Sequence, residues 1–264
     1  LHEIEQLPQK QQLSRHLLLV ESALSRRDYP TATQNLEAAA KINSNLSRLV
    51  RLQLRYAFDH GDASDVLTKA EKLVKAGAIN DYEAEQYQNW AYRRLLSEVT
   101  DAGRLKACLK QIPESVKSGE LCVAIAEKYE RLGLYAEAVK WVKTHYPQNR
   151  QPELLEAFVE SVRFLSERDQ QKAIDLADSW LQEQPNNALL LMYLGQLAYG
   201  RKLWGKAQGY LEASIALQPS VSAHLVLARV FDETDQPQKA QEQRNLVLES
   251  VAEEEHPAAL PQPN

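Results

Sequence analysis

The sequence predicts an all-α fold built from about seven stacked pairs of helices. Three observations lead to this prediction. Small side chains return about every 34 residues, turn-forming residues separate the apolar segments, and no segment alternates with the two-residue period of a strand. Because one helix pair cannot bury its apolar face alone, we expect the pairs to stack in succession into a right-handed superhelix.

The clearest helix pair lies between Ala188 and Val221. Its first helix places Leu191, Leu194, Gly195 and Ala198 on one face, and its second helix places Trp204, Ala207, Leu211 and Ser214 on one face. The small residues at 195 and 207 allow the two backbones to approach closely. This spacing is typical of the tetratricopeptide repeat (TPR), whose period is about 34 residues, and it predicts a TPR-type α-solenoid.

The period continues in both directions from Ala207. Small side chains occupy the equivalent place in the second helix of other pairs, at Ala32, Val66, Ala138, Ala173 and Ala240. The longer interval after Val66 accommodates an extended first helix over about residues 81–98 and a second helix with Leu105, Leu109 and Ile112. The predicted superhelical domain covers residues 1–251, and the acidic, proline-rich segment 252–264 is predicted to be a disordered tail.

The composition excludes several classes of protein. The net charge of −5 argues against general nucleic-acid binding, which needs an excess of Lys and Arg. Two cysteines without metal-ligand spacing and six scattered histidines predict neither a disulfide scaffold nor a metal site. No apolar stretch reaches the roughly 20 residues that span a bilayer. Because the chain begins at Leu1 and not at Met, we expect it to be a fragment of a longer protein.

No catalytic residues are predicted. The segment Gly200–Ala207 nearly matches the phosphate-binding pattern GxxxxGK[ST], but Ala207 has no hydroxyl for magnesium and the segment follows a predicted helix. Motifs of metalloproteases, serine hydrolases and dinucleotide-binding proteins are absent from the sequence.

The first helix of each pair is expected to line a concave wall, which would be the binding surface. Arg48, Arg51 and Arg55 share one helix face, where they either bind an anion or are solvated or paired with acids on neighbouring helices. Phe158, Met192 and Tyr199 either form an apolar groove or pack between repeats. The predicted wall residues are Arg48, Arg51, Arg55, Phe58, Asn89, Arg93, Glu127, Phe158, Met192, Tyr199 and Arg229.

The last two repeats resemble the HemY family of bacterial inner-membrane TPR proteins. The resemblance lies in Leu203–Ala207, Tyr210–Ser214, Leu217–Pro219 and Ala223–Arg229, and more loosely in earlier segments such as Leu36–Ala39 and Asn89–Ala91. It implies two membrane helices before this domain, a cytoplasmic location at the inner membrane, and an association with a late stage of protohaem synthesis. The family has no assigned catalytic residues, so none is implied here.

Three functions follow as hypotheses. The first is a non-enzymatic scaffold that recruits haem-pathway enzymes, with a variant in which Arg48, Arg51, Arg55 and Arg93 bind the propionates of haem or a porphyrin. The second is a general peptide-binding adaptor for chaperone or envelope-assembly partners. TPR clamps for a C-terminal carboxylate have Lys and Asn in the first repeats, but the equivalent residues here are Leu17 and Glu21. The third is an enzyme built on helical repeats, for which the sequence offers no positive case.

Overall fold

The computed structural model describes residues 8–255, which form fourteen α-helices, one short 3-10 helix (Glu114–Val116) and no strand. The fold is all-α, as predicted. The α-helices are α1 (Gln9–Ser25), α2 (Tyr29–Ile42), α3 (Ser47–His60), α4 (Ala63–Lys75), α5 (Asp81–Glu98), α6 (Ala102–Gln111), α7 (Gly119–Arg131), α8 (Tyr135–Asn149), α9 (Pro152–Val162), α10 (Glu167–Glu183), α11 (Ala188–Gly200), α12 (Trp204–Leu217), α13 (Val221–Glu233) and α14 (Pro237–Glu255).

The helices form seven successive pairs within residues 8–255, which confirms the TPR-type α-solenoid class. The second helices begin at intervals of 32 to 39 residues, so the period is close to the predicted one but not uniform. The last helix continues to Glu255. It therefore includes the first residues of the predicted tail, and the rest of that tail, 256–264, lies outside the described residues.

The chain divides into two units, with the boundary between Ala124 and Ile125 inside α7. In the first unit α1 packs on α2 and α3, and α4 packs on α3 and α5. In the second unit α11 packs on α12, and it also contacts α9 and α13, the first helices of the pairs on either side. Because first helices contact first helices, each unit presents a wall made of them.

The recurring small residues lie at the tightest points of this packing. Ala32, Val66, Ala138, Ala207 and Ala240 are all 0% exposed, and Ala173 is 3% exposed. A methyl group added at Gly195 would lie 2.6 Å from Cγ of Leu211 in the paired helix. The small side chains are therefore needed for close approach of neighbouring helices, as the sequence pattern predicts.

Polar residues define where many of the helices begin. A side-chain oxygen accepts a hydrogen bond from a backbone N–H in the first turn of seven helices, which satisfies one of the donors that a helix start leaves open. The capping residues are Asp28, Asp62, Asn80, Asp101, Ser166, Asn187 and Ser220. Gly61 ends α3 with a φ of 76°, a conformation that glycine adopts without the strain of a side chain.

Candidate functional site

The second unit contains a cleft of about 410 Å³ on the wall of first helices. We call it the arginine cleft because Arg163, Arg201 and Arg229 line it. The other lining residues are Val162, Gln170, Ile174, Gln196, Leu197, Tyr199, Gly200 and Val226. No carboxylate is among these lining residues.

Helix ends position two of the three arginines. Arg163 directly follows α9 and Arg201 directly follows α11, while Arg229 lies within α13. The C-terminus of a helix is the negative end of its dipole, so the C-termini of α9 and α11 favour these two cations. The turn after α9 is held by Gln170, whose Nε2 donates to the carbonyl oxygens of Arg163 at 3.2 Å and Leu165 at 3.1 Å. Contacts of α11 with α9 and α13 then bring the three arginines to one cleft.

The three arginines differ in how their charges are compensated. Nη1 of Arg163 donates to Glu160 Oε2 at 2.9 Å, and Nη1 of Arg201 donates to the backbone carbonyl of Glu167 at 2.7 Å. Arg229 is exposed and forms no hydrogen bond or ion pair with any residue in the described range 8–255. The cleft therefore carries an excess of positive charge.

The floor of the cleft is apolar. Val162 and Ile174 are each 1% exposed, and Leu197 is 6% exposed. Tyr199 is half-buried, with its ring 5.4 Å from that of Trp204. The three aliphatic side chains form the base of the cleft, and the half-buried Tyr199 and Val226 expose apolar surface beside the arginines. Cations next to apolar surface suit a ligand that combines an anionic group with an apolar one.

An acidic patch adjoins the arginine cleft through Glu160. It consists of Glu127, Glu130, Glu153, Glu156 and Glu160, on α7 and α9. Burial, followed by the charges of Glu160, Glu127 and Glu156, raises the pKa of the Glu130 carboxyl. Burial and the same group of carboxylates raise the pKa of Tyr193 to about 12. The wall of the second unit thus carries negative charge beside positive charge.

The first unit has a separate cleft of about 440 Å³ at the predicted arginine stripe. Arg48 donates to Glu21 at 2.9 Å through Nη2 and at 3.1 Å through Nε. Arg51 lies 3.5 Å from Glu83 and also donates to the backbone carbonyl of Ala78. Acids on neighbouring helices therefore compensate two of the three arginines, which is the second of the two alternatives for this stripe.

Arg55 is the exception in this first cleft. It is exposed and has no hydrogen-bond or ion-pair partner within the part of the chain that the structure describes. Phe58 lies beside it, 39% exposed, with its ring 4.4 Å from Trp90 and 6.1 Å from Tyr87. A cation next to the exposed ring of Phe58 is the binding chemistry that remains at this cleft.

Two predicted wall residues are buried. Phe158 is 1% exposed, with its ring 5.2 Å from Trp180, and Met192 is 6% exposed in the core formed with α12 and α13. Of the two alternatives for these residues, the structure supports packing between helices and not an apolar groove, because Phe158 packs on α10 and Met192 packs on α12 and α13.

The remaining predicted residues are dispersed. Arg93 pairs with Glu120, and Glu127 accepts a hydrogen bond from Arg131 at 3.1 Å. Asn89 is half-buried, and its Oδ1 has no hydrogen-bond partner within residues 8–255. Of the predicted set, only Tyr199 and Arg229 line the arginine cleft.

Sequence reasoning missed Arg163 and Arg201. Both follow the last residue of a helix, so they lie just outside the helical segments from which the wall was projected. Their shared position in the repeat could have identified them, because each is the first residue after the first helix of a pair.

The P-loop-like segment has a structural explanation. Gly200 ends α11, Trp204 begins α12, and Ala207 is fully buried between the helices.

Within residues 8–255 no helix combines the length and the apolar character needed to cross a membrane. In the same range no group of three or more His, Cys, Asp or Glu side chains is placed to hold a metal ion.

Comparison with known proteins reveals similarity only to solved structures. No family model matches the chain, and no curated protein matches it. A tetratricopeptide repeat protein from Parabacteroides merdae is 12% identical with a TM-score of 0.44, over 90% of this chain and 92% of that one. Cut9–Hcn1 of the APC/C is 16% identical with a TM-score of 0.45, over 94% of this chain and 48% of that one. Human IFIT1 with capped RNA is 18% identical with a TM-score of 0.44, over 87% of this chain and 58% of that one. The chain's own helix pairs carry the fold assignment.

Proposed function

We propose that this chain is a non-enzymatic scaffold that binds segments of other proteins on the walls of its first helices. One observation carries the proposal: Arg229, which has no charge partner within residues 8–255, lies beside the half-buried Tyr199 and Val226 in an open cleft to which three successive first helices contribute. An exposed and uncompensated cation of this kind is a group that a ligand can engage.

The chemistry of the cleft supports binding and not turnover. Its lining consists of arginine, glutamine, tyrosine, glycine and aliphatic residues, with no carboxylate, imidazole or thiol among them. General acid–base and nucleophilic catalysis depend most often on those three groups. Arginine, glutamine and tyrosine instead provide hydrogen-bond donors that orient a bound segment.

We further propose that the partners are enzymes of late protohaem synthesis and that the scaffold works at the cytoplasmic face of the bacterial inner membrane. The support is the resemblance of the last two repeats, carried by Leu203–Ala207, Tyr210–Ser214 and Leu217–Pro219. The second candidate, a general peptide-binding adaptor for chaperone or envelope-assembly partners, is favoured by the same cleft, because its chemistry suits many peptides.

Photo-crosslinking in cells separates these proposals. A photoreactive amino acid replaces Gln196 in the cleft, and the matched control replaces Arg168, an exposed residue on α10 that does not line the cleft. Haem-pathway enzymes captured from position 196 alone support the scaffold, whereas chaperones or envelope-assembly factors support the adaptor. Equal capture of proteins at both positions, or none at either, contradicts a protein-binding cleft.

Tetrapyrrole binding remains a separate proposal for the first unit. Since Arg48, Arg51 and Arg93 are paired with acids, its support is now Arg55 beside the exposed ring of Phe58. A haem titration of the purified chain tests it through the Soret band. We expect a shift that Arg55→Ala abolishes. No shift, or one that this substitution leaves unchanged, removes tetrapyrrole binding at the stripe.

A further inference from the structure

We propose that the arginine cleft recognises the side-chain carboxylates of a short, extended acidic segment in the partner protein. The inference rests on the scaffold function proposed above and specifies the chemistry of its partner. The segment has acidic residues at alternate positions, whose side chains point to the same face, and a basic residue on the side that faces the acidic patch.

The preference for an anion comes from the unequal compensation of the three arginines. Arg229 has no partner within residues 8–255, and Arg201 uses one Nη atom on a carbonyl oxygen, which leaves its charge uncompensated. Arg163 shares its charge with Glu160. A guanidinium group presents two parallel N–H donors that match the two oxygens of a carboxylate. Arg201 and Arg229 are therefore placed to hold two such groups.

The acidic patch limits which anion can bind. It begins at Glu160, which is paired with Arg163 at the edge of the cleft, and extends to Glu130 on α7. A nucleic acid would carry its phosphates past these carboxylates, within the roughly 8 Å over which charges interact at physiological ionic strength. The chain's net charge of −5 adds to this repulsion. A protein segment avoids it, because its acidic residues can be followed by lysine or arginine.

The size and floor of the cleft favour a few side chains of an extended segment. The volume of about 410 Å³ lies near the lower end of the ~300–1,000 Å³ typical of binding clefts. Tyr199 and Val226, which are both half-buried, offer apolar surface in the same cleft. In an extended segment residues i and i+2 point to the same face, so two acidic residues separated by one residue can both reach the arginines.

Fluorescence polarisation with a defined peptide tests the proposal. The probe is a fluorescein-labelled peptide with two lysines, a glycine and then Glu-Leu-Glu, and its C-terminus is amidated so that side chains supply the only carboxylates. We expect the wild-type chain to bind it about tenfold more tightly than the same peptide with glutamine in place of glutamate. We also expect Arg229→Glu and Arg201→Gln each to weaken binding of the acidic probe about tenfold.

Matched controls identify the cleft as the site. Arg168→Glu makes the same charge change outside the cleft and should alter the dissociation constant less than about twofold. A probe with lysine in place of both glutamates should bind Arg229→Glu more tightly than it binds the wild type. Circular dichroism checks that the variants are folded, which we expect because Arg229 is exposed.

Three results would overturn the inference: equal affinity for the glutamate and glutamine probes, equal loss with Arg168→Glu and Arg229→Glu, or unchanged binding in both cleft variants. Displacement of the probe by a ten-nucleotide poly(U), with Arg229-dependent RNA binding tighter than peptide binding, would assign the cleft to nucleic acid instead. Failure of the peptide experiment with continued crosslinking from position 196 leaves the scaffold function standing. Loss of that crosslinking removes the scaffold function itself.

Discussion

Replacement of Gly195 by alanine tests the close approach of α11 and α12. The added methyl group would lie 2.6 Å from Cγ and 2.8 Å from Cδ2 of Leu211, whose side chain is completely buried. Overpacking of this kind costs ~1–3 kcal/mol. Alanine also gains ~1 kcal/mol over glycine in a helix interior. We therefore expect a net loss of about 1 kcal/mol in the free energy of unfolding.

Gly209→Ala is the matched control, since this glycine lies in α12 and an added methyl group would meet no atom within 4 Å. It should gain the helix propensity without the clash and stabilise the chain by about 1 kcal/mol. At roughly 2–4 °C for each kcal/mol, the two variants should differ in Tm by about 4–8 °C. Thermal unfolding followed by circular dichroism measures this difference.

A double substitution isolates the contact itself. Leu211→Ala alone leaves a cavity and should cost ~2–5 kcal/mol. In that background Gly195→Ala no longer clashes, so it should stabilise by about 1 kcal/mol where it destabilised before. If Gly195→Ala raised Tm as much as Gly209→Ala in the wild-type background, the close helix approach would be refuted.

Three further predictions concern buried and capping groups. Ser214→Ala should lower the free energy of unfolding by about 1 kcal/mol in urea titrations, because the buried hydroxyl donates to the carbonyl of Ala188 at 2.7 Å. Asp62→Ala should lower it by ~1 kcal/mol, since the carboxylate caps α4 through a backbone N–H at 2.9 Å. Tyr193 should ionise near pH 12, where absorbance at 295 nm reports tyrosinate and Tyr193→Phe provides the difference spectrum. Burial and the neighbouring carboxylates favour the neutral phenol in the folded chain, so its contribution to stability is complete below pH 10 and is lost as the pH rises to about 12. Glu156→Gln should lower that pKa, and an unchanged titration would contradict the acidic patch.

The repeat architecture could be read from the sequence because its cause is local and periodic. Close helix pairs require a small side chain at one place in each pair, and the predicted residues, from Ala32 to Ala240, are the ones that the structure buries. Gly195 was predicted from the same argument, and Leu211 fills the space that it leaves. Each of these residues acts within one pair or between two adjacent pairs, so spacing alone identifies them.

Which residues face outward from the wall was decided only by the tertiary structure. The second helices begin 32 to 39 residues apart, so the rotation of each helix relative to the wall does not follow from a constant period. As a result Phe158 and Met192 are buried where the projection placed them on the surface. Ion pairs with Glu21 and Glu83 compensate the charges of Arg48 and Arg51.

The arginine cleft shows most clearly which features the sequence predicts and which depend on the tertiary structure. Arg163, Arg201 and Arg229 come from three helix pairs and from different positions within them. The sequence by itself determined that the chain stacks helical pairs, because the small and apolar residues that become buried recur at a regular spacing along the chain. Only the packing of α9, α11 and α13 brought these three guanidinium groups together and left Arg229 without an acidic partner among the described residues, because charge compensation depends on distances across pairs that no local pattern encodes.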